Sequence, residues 1–306
     1  MRKIPLIVIA GPTASGKTAL STQVAKLANG EIVSADSMQI YKYMNIGTAK
    51  PTEEEKQGIP HHMMDFLEPT VNFSVADYCQ MAGEIIRDID RRGKIPVIVG
   101  GTGLYIDSLV NGVDFGEEEG DGKIREELMD LAEKEGNEAV HKVLEEIDPE
   151  TAAKYHPNNL RRIIRAIEVY KTQGKTVSQK EREEKISPYN VAYFAIDWDR
   201  SVLYDRINKR VDIMVEEGLI DEVKDLLNRD IDPGCTAMQS IGYKEFYGYL
   251  NGETTLDEAL EIVKQSSRRY AKRQLTWFRR NKEIHWLSPE NALDEAMGVI
   301  KEKFGI

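Results

Sequence analysis

KIPLIVIAGPTASGKTALSTQVAKL, residues 3–27, is the stretch that decides the fold. Its first part, Lys3–Ala10, is almost continuously apolar, which is typical of a strand buried on both faces of a parallel sheet. The next eight residues, Gly11–Thr18, fit the pattern G-x-x-x-x-G-K-[ST], and a helical pattern follows from Lys17 to Leu27. A strand, a glycine-rich loop and a helix in this order predict a phosphate-binding loop.

The residues of this loop suit a phosphate chain. The glycines allow the backbone to wrap around an anion, so that N–H groups and the helix N-terminus point at phosphate oxygens. Lys17 supplies a positive charge, and the hydroxyl of Thr18 can bind Mg²⁺. The pattern therefore predicts a phosphate chain with Mg²⁺, without specifying the phosphate compound.

Further strand and helix patterns continue the alternation. Buried strands are predicted at Glu31–Ala35 and Ile95–Val99, with a helix at Tyr78–Arg92 between them. Val191–Ile196 and Ile284–Leu287 could complete the sheet. This order predicts an α/β fold with a doubly wound, mostly parallel sheet.

The middle of the chain lacks strand patterns between Gly116 and about Ser187. A helix start with proline at its first position lies at Asp148-Pro149. The predicted division is therefore a core of residues 1–115 and 199–306, with an all-helical domain of residues 116–198 inserted into it.

Composition excludes several classes of protein. With 306 residues, 41% hydrophobic and 30% charged, the chain can bury a sizeable core, so a disordered or fibrous protein is excluded. No apolar run approaches the ~20 residues of a membrane-spanning helix. The two cysteines, Cys79 and Cys235, stand far apart without metal-ligand spacing, so neither a disulfide framework nor a zinc site is expected. We expect a cytoplasmic monomer.

Charge is strongly segregated along the chain, although the net charge of −11 argues against a nucleic-acid partner. Residues 116–150 contain fourteen acids and four bases, so this stretch carries −10 and the remainder only −1. Residues 265–282 contain seven bases and no acid, with Tyr270, Trp277 and Phe278 interleaved. Such a run is typical of phosphate contacts combined with packing or base stacking.

Asp36 is the first acidic residue after the second strand. The carboxyl ends of neighbouring strands face one ligand crevice, so Asp36 could hold a metal or act as a general base there. A turn-capping role is the alternative. The third strand ends in Gly100-Gly101 rather than the carboxylate of an ATPase, and no Asn-Lys-x-Asp motif is present, which disfavours motor and switch functions.

Two groups of arginines have helical spacing. Arg161, Arg162 and Arg165 lie opposite an apolar face, and Arg206 and Arg210 are four residues apart. A solvated helix face is the alternative interpretation for either group.

Seven motifs in this order resemble the bacterial tRNA dimethylallyltransferases, also called tRNA isopentenyltransferases. They are GPTASGKT (11–18), DSMQIY (36–41), PHHMMDFLEP (60–69), VIVGGTGLY (97–105), HPNNLRRIIRAIE (156–168), QSIGYKEF (239–246) and RRYAKRQLTWFRR (268–280). The resemblance covers nearly the whole chain. It implies transfer of a dimethylallyl group from dimethylallyl diphosphate to N6 of adenosine 37, next to the tRNA anticodon.

The resemblance also implies a role for each matching position. Asp36 would be the base, and Lys17 would hold diphosphate together with Arg206 or Arg210. Thr102, counted with the catalytic residues, and Arg125 would touch the tRNA near the reacting nucleotide. The diphosphate would be held by Gly11, Pro12, Thr13, Ala14, Ser15, Gly16, Lys17 and Thr18. The remaining contacts to tRNA would come from Ser37, Met38, Gln39, Arg161, Arg162, Arg165, Gln239, Ser240, Ile241, Gly242, Tyr243, Lys244, Arg279 and Arg280.

Two other functions are compatible with a phosphate-binding loop. One is a small-molecule or nucleotide kinase that uses the helical insertion as a lid and, unlike the transferase, requires ATP. The other is a non-catalytic RNA-binding module, which the intact pair Lys17-Thr18 together with Asp36 argues against.

Overall fold

The computed structural model describes residues 2–113, 122–182 and 187–306. Its centre is a six-stranded sheet of order β3-β2-β4-β1-β5-β6, in which every pairing of neighbouring strands is parallel. The strands are β1 Ile4–Ala10, β2 Gly30–Ser34, β3 His61–His62, β4 Ile95–Gly100, β5 Tyr189–Ile196 and β6 His285–Leu287. The predicted α/β fold with a parallel sheet is confirmed.

Helices lie between and after the strands. Those that precede β5 are α1 Lys17–Leu27, α2 Glu53–Lys56, α3 Val75–Arg91, α4 Gly103–Val110, α5 Lys123–Glu135, α6 Asn137–Ile147, α7 Pro149–Ala152, α8 Leu160–Gln173 and α9 Val177–Arg182. Those that follow it are α10 Arg200–Glu216, α11 Leu219–Asn228, α12 Tyr247–Leu250, α13 Leu256–Phe278 and α14 Ala292–Phe304. No helix within the described ranges is both long and apolar enough to cross a bilayer.

Strand β1 occupies the middle of the sheet, between β4 and β5. Side chains alternate along a strand, so Leu6 and Val8 enter one hydrophobic core, whereas Ile7 and Ile9 enter the core on the opposite face. Residues Leu6 to Ala10 have no exposed surface. Burial on both faces explains why this stretch of sequence is continuously apolar.

The chain divides into two units, residues 1–112 with 187–306, and residues 113–186. The second unit contains only helices in its described part, α5 to α9, around a core that includes Leu128, Leu144 and Ile163. Residues 116–121 of the predicted acidic stretch lie outside the described residues.

The predicted end of the insertion at residue 198 is wrong. Strand β5 lies within the range 116–198, yet it pairs with β1 from Ile4↔Tyr189 to Ala10↔Ala195. Its apolar residues complete the central sheet, so this part of the range belongs to the first unit.

Candidate active site

The loop between β1 and α1 has the backbone conformation that its glycines predict. Gly11 and Gly16 have φ of +139° and +93°, in the region that favours glycine, and Gly16 immediately precedes α1. The hydroxyl of Ser15 is buried and has no hydrogen-bond partner. A buried polar atom that lacks a partner inside a loop of this shape fits an anionic ligand that would supply one.

Lys17 begins α1, and its Nζ donates to the carbonyl oxygen of Pro12 at 2.6 Å. Burial, together with the neighbouring positive charge of Arg210, lowers the pKa of Lys17 from 10.5 to about 7, while the negative charge of Asp36 opposes the shift. The charges of Lys17, Arg210 and Asp36 therefore act on one another across the loop.

Trp198 and Arg206 bind backbone carbonyls of the loop. The indole Nε1 of Trp198 donates to the Ser15 carbonyl at 2.8 Å, and Arg206 Nε donates to the Ala14 carbonyl at 2.9 Å. The guanidinium of Arg206 lies 4.5 Å from the centre of the Trp198 ring, a cation–π contact.

Arg210 follows Arg206 by one helical turn on α10. Burial lowers its pKa, while the carboxylates of Glu55 and Asp36 raise it. The sequence left the choice between the two arginines open. In the structure, Arg206 binds the loop backbone, whereas the charge of Arg210 acts on Lys17.

Asp36 lies just beyond the carboxyl end of β2, as its position in the sequence indicates. Its Oδ1 accepts hydrogen bonds from the backbone N–H groups of Met38 at 2.9 Å and Gln39 at 3.4 Å. The turn-capping interpretation is therefore correct for this oxygen. The second carboxylate oxygen receives no hydrogen bond from any described residue.

Thr102 is brought beside Ser37 by the glycines that end β4. A Cβ at Gly100 would lie 2.1 Å from the carbonyl oxygen of Ala35, so only glycine lets these two strand ends approach so closely. The Oγ1 of Thr102 accepts from the backbone N–H of Ser37 at 3.0 Å. Thr102 and the segment that follows Asp36 thus form one cluster.

Gln274 is a site residue that the sequence analysis missed. It lies on α13, is 6% exposed, accepts from the Thr13 N–H at 3.1 Å and donates to the Gly101 carbonyl at 2.9 Å. The sequence shows a glutamine within the acid-free run 265–282, but its burial and its partners become visible only in the folded chain.

The side chains that follow Asp36 differ in their surroundings. The amide of Gln39 accepts from Ser34 Oγ at 3.2 Å and donates to the carbonyls of Thr48 and Ala49 at 3.1 Å each. It therefore holds the loop after β2. Met38 packs partly buried against a hydrophobic core, while Ser37 interacts with Thr102.

Residues 239–244 divide into exposed and buried members. Gln239 and Lys244 are exposed, and Ser240 and Ile241 are half-buried. Tyr243 has no exposed surface, so its side chain belongs to the hydrophobic core rather than to the surface of this segment. A Cβ at Gly47 would lie 2.5 Å from the Tyr243 ring, so the ring packs where only glycine leaves room.

Glu222 on α11 explains why Tyr243 is buried. Its Oε1 accepts from the Tyr243 hydroxyl at 2.7 Å and from the Gly47 N–H at 3.0 Å. Its Oε2 accepts from the N–H groups of Asn45 and Ile46 at 2.8 and 2.9 Å. This carboxylate, which the sequence analysis also missed, fixes the loop that continues from Asp36.

The basic run of α13 presents an exposed face with Arg269, Lys272 and Arg273. Arg280 stacks on Trp277, with its guanidinium 4.2 Å from the ring centre, and Arg279 pairs with Asp197 at 3.3 Å. Both predicted arginines are exposed, but each already has a partner in the protein.

The second unit carries the other predicted arginines. On α8, Arg161 and Arg162 are exposed opposite the buried Ile163 and Ile167, so the predicted amphipathic helix is confirmed. Two more pair with the carboxylate of Glu168, namely Arg125 at 2.8 Å and Arg165 at 3.7 Å.

No cluster of three or more His, Cys, Asp or Glu side chains that could hold a metal occurs in the part of the chain that the structure describes. Mg²⁺ commonly keeps several waters and shares one or two protein ligands with substrate phosphates. Thr18, directly after Lys17 in the first turn of α1, fits such a shared ion.

Comparisons with known proteins agree on one family. The model of the IPP transferase family matches residues 39–281, and that of the isopentenyl transferases matches residues 4–72. The tRNA dimethylallyltransferase of Acetivibrio thermocellus is 51% identical over 93% of this chain and 92% of its own length. That of Bacillus subtilis is 50% identical over 95% and 93%, respectively.

Solved structures give the same result. The tRNA isopentenylpyrophosphate transferase of Bacillus halodurans aligns with a TM-score of 0.75 at 46% identity, covering 98% of this chain and 97% of that protein. A eukaryotic dimethylallyltransferase acting on tRNA aligns with a TM-score of 0.87 at 33% identity, covering 98% and 79%.

Proposed function

This chain belongs to the IPP transferase family, the tRNA dimethylallyltransferases, and we propose that it transfers a dimethylallyl group from dimethylallyl diphosphate to N6 of adenosine 37 beside the tRNA anticodon. Diphosphate is the leaving group. One observation carries the proposal: Gln274 links the phosphate-binding loop to the Asp36–Thr102 cluster. It hydrogen-bonds to Thr13 in the loop and to Gly101, the residue before Thr102.

The loop would hold the diphosphate. Its N–H groups and the N-terminus of α1 attract phosphate oxygens, and Lys17 and Arg210 add positive charge. Negative charge grows on the diphosphate as its bond to the dimethylallyl carbon breaks, so these groups stabilise the transition state more than the ground state. Mg²⁺ held by Thr18 would supply further charge neutralisation.

Asp36 would accept the proton. The N6 amine of adenine is a weak nucleophile and must lose a proton as its nitrogen forms the new bond to carbon. Because Oδ1 of Asp36 caps the turn, the other oxygen would take that proton. A positioned base contributes about 10²–10⁴-fold. The target base must also leave its stack to reach these residues, so base flipping is part of the proposal.

The exposed cations would bind the tRNA backbone. They are Arg161, Arg162, Lys244 and the exposed face of α13, with Arg125, Arg165, Arg279 and Arg280 exchanging their present partners for phosphates. The neutral amide of the exposed Gln239 would add a hydrogen bond to the tRNA. Contacts of this kind position the RNA without reading its sequence. The cytoplasm, where tRNA is available, is the proposed compartment.

One assay tests the function. The protein is incubated with total tRNA and dimethylallyl diphosphate in the presence of Mg²⁺ and the absence of ATP, and the digested nucleosides are analysed. Dimethylallyl adenosine is expected from the wild-type protein and not from Lys17→Ala. A requirement for ATP, or transfer of phosphate to an acceptor, would favour a kinase instead.

A further inference from the structure

Tyr270 lies on α13 one helical turn before Gln274, so the two side chains share a face of the helix. Gln274 hydrogen-bonds to the Gly101 carbonyl, and the next residue, Thr102, accepts from the Ser37 N–H. These bonds place the turn of α13 that contains Tyr270 beside the carboxyl ends of β2 and β4.

Tyr270 lies beside the cluster of Asp36 and Thr102, because Gln274, one turn further on the same helix face, hydrogen-bonds to Gly101. Tyr270 interacts with the side chains of Thr102 and Gln274, and the negative charge of Asp36 acts on it. Tyr270 is half-buried, and the guanidinium of Arg273 lies 5.5 Å from its ring centre. Burial raises the pKa of Tyr270 to about 12, so its hydroxyl keeps a proton at neutral pH.

A hydroxyl donor beside a carboxylate acceptor matches adenine better than guanine. Adenine carries an amine donor at N6 with acceptor nitrogens, N1 and N7, on either side of it. Guanine carries the carbonyl acceptor O6 at the same position, and an acceptor against a carboxylate leaves both groups unpaired.

Resting on the proposed function, we propose that Tyr270 is a specificity-determining residue whose hydroxyl donates to a ring nitrogen beside N6 of the target adenine while Asp36 accepts from the amine. Tyr270 thereby fixes the rotation of the flipped base, and the N6 proton points at Asp36. Neither the diphosphate nor the tRNA backbone takes part in this contact.

The test compares three proteins on three RNAs. The proteins are the wild type, Tyr270→Phe and, as a matched control, Tyr249→Phe, which removes the hydroxyl of a half-buried tyrosine elsewhere in the first unit. The RNAs are synthetic anticodon stem-loops with adenosine, 1-deazaadenosine or 7-deazaadenosine at position 37, all of which keep the N6 amine. Single-turnover rates and kcat/KM are measured at saturating dimethylallyl diphosphate.

We expect Tyr270→Phe to lower kcat/KM on the adenosine RNA about tenfold, the effect of one lost hydrogen bond. The deaza RNA that lacks the accepting nitrogen slows the wild type. On this RNA Tyr270→Phe causes no further loss, because the acceptor is already gone. On the other deaza RNA the tenfold difference remains. Tyr249→Phe follows the wild type on all three.

Two results would overturn the assignment. One is an equal loss for Tyr270→Phe on all three RNAs, since the hydroxyl would then act through the fold. The other is wild-type activity that neither deaza substitution reduces. This result is obtained with the wild-type protein alone, so it does not depend on whether a variant folds. An inactive wild type on the adenosine RNA would instead overturn the proposed function itself.

Discussion

Gln274 accepts a hydrogen bond from the backbone N–H of Thr13 at 3.1 Å, across 261 positions of sequence. Its amide nitrogen donates to Gly101, so one buried side chain joins the phosphate-binding loop to the end of β4. The geometry of the diphosphate site therefore depends on a helix near the end of the chain.

Tests of this dependence use Gln274→Met, which keeps the shape and removes both hydrogen bonds. The buried carbonyl of Gly101 and the partly buried N–H of Thr13 would lose their partners, at about 1–3 kcal/mol for the fully buried group and less for the other. We expect a lower melting temperature and a raised KM for dimethylallyl diphosphate. Gln265→Met, at an exposed position of the same helix, is the control. Equal behaviour of the two variants would contradict the role of Gln274.

Diphosphate binding is expected to take up a proton. The pKa of Lys17 is about 7 in the free loop, and a bound diphosphate raises it toward or above the ordinary value of 10.5. Between these two values the free protein has lost a proton that the complex holds, so affinity falls up to tenfold per pH unit above pH 7.

Calorimetric titration with an unreactive dimethylallyl diphosphate analogue, in buffers of different ionisation enthalpy, measures this uptake between pH 7 and 9. Lys17→Met should bind more weakly and show no such uptake. The same proton count for both proteins would locate the titration elsewhere.

Asp36→Asn separates catalysis from turn capping. The asparagine oxygen can still accept from the Met38 N–H, so the turn and the melting temperature should be preserved. We expect kcat to fall at least ~10²-fold, with smaller changes in affinity for either substrate. Single-turnover rates at saturating Mg²⁺ beside a melting curve decide the matter. Rescue by added Mg²⁺ would indicate metal binding instead.

Salt dependence tests the basic face of α13. Lys272→Gln removes an exposed charge, and the slope of log affinity for tRNA against log salt should shrink by about one unit. Lys264→Gln on the same helix is the matched control, because Lys264 is already paired with Asp212 at 2.5 Å.

The arginine pair at the end of this helix is expected to behave similarly. Replacing Arg279 and Arg280 should weaken all tRNAs alike, with the smaller share from Arg279 because it is paired with Asp197. An unchanged slope would leave both arginines as solvated surface residues.

The sheet and the phosphate-binding loop could be predicted because their signals are local. An apolar run, two glycines and a lysine specify β1, the loop and α1 within 25 residues, and α1 has the predicted bounds. Strand β3 cannot be predicted from the sequence, because its two residues, His61–His62, are too few to form a hydrophobic pattern. Strand β5 is predicted as a strand yet lies inside the predicted insertion, since a run of apolar residues does not reveal its pairing partner.

The candidate site was predictable only where a residue acts from its own segment. Asp36 follows a strand, and that position alone indicated its place. Gln274, Glu222 and Trp198 bind backbone groups 173 to 261 residues away, which no spacing encodes. Tyr243 shows the converse: it belongs to a motif of the family, yet its side chain is buried in the core and stabilises the fold of that segment.

The central place of β1 has a consequence for the order in which this protein can be made. Strand β1 leaves the ribosome before both of its neighbours, because it pairs on one side with β4 and on the other with β5, whose last residue is Ile196. The helices described within residues 122–182 share a hydrophobic core of their own, so they can fold before β5 is available to pair with β1. A chain that stops within this helical unit would therefore carry the complete phosphate-binding sequence but leave one edge of β1 unpaired and open to aggregation.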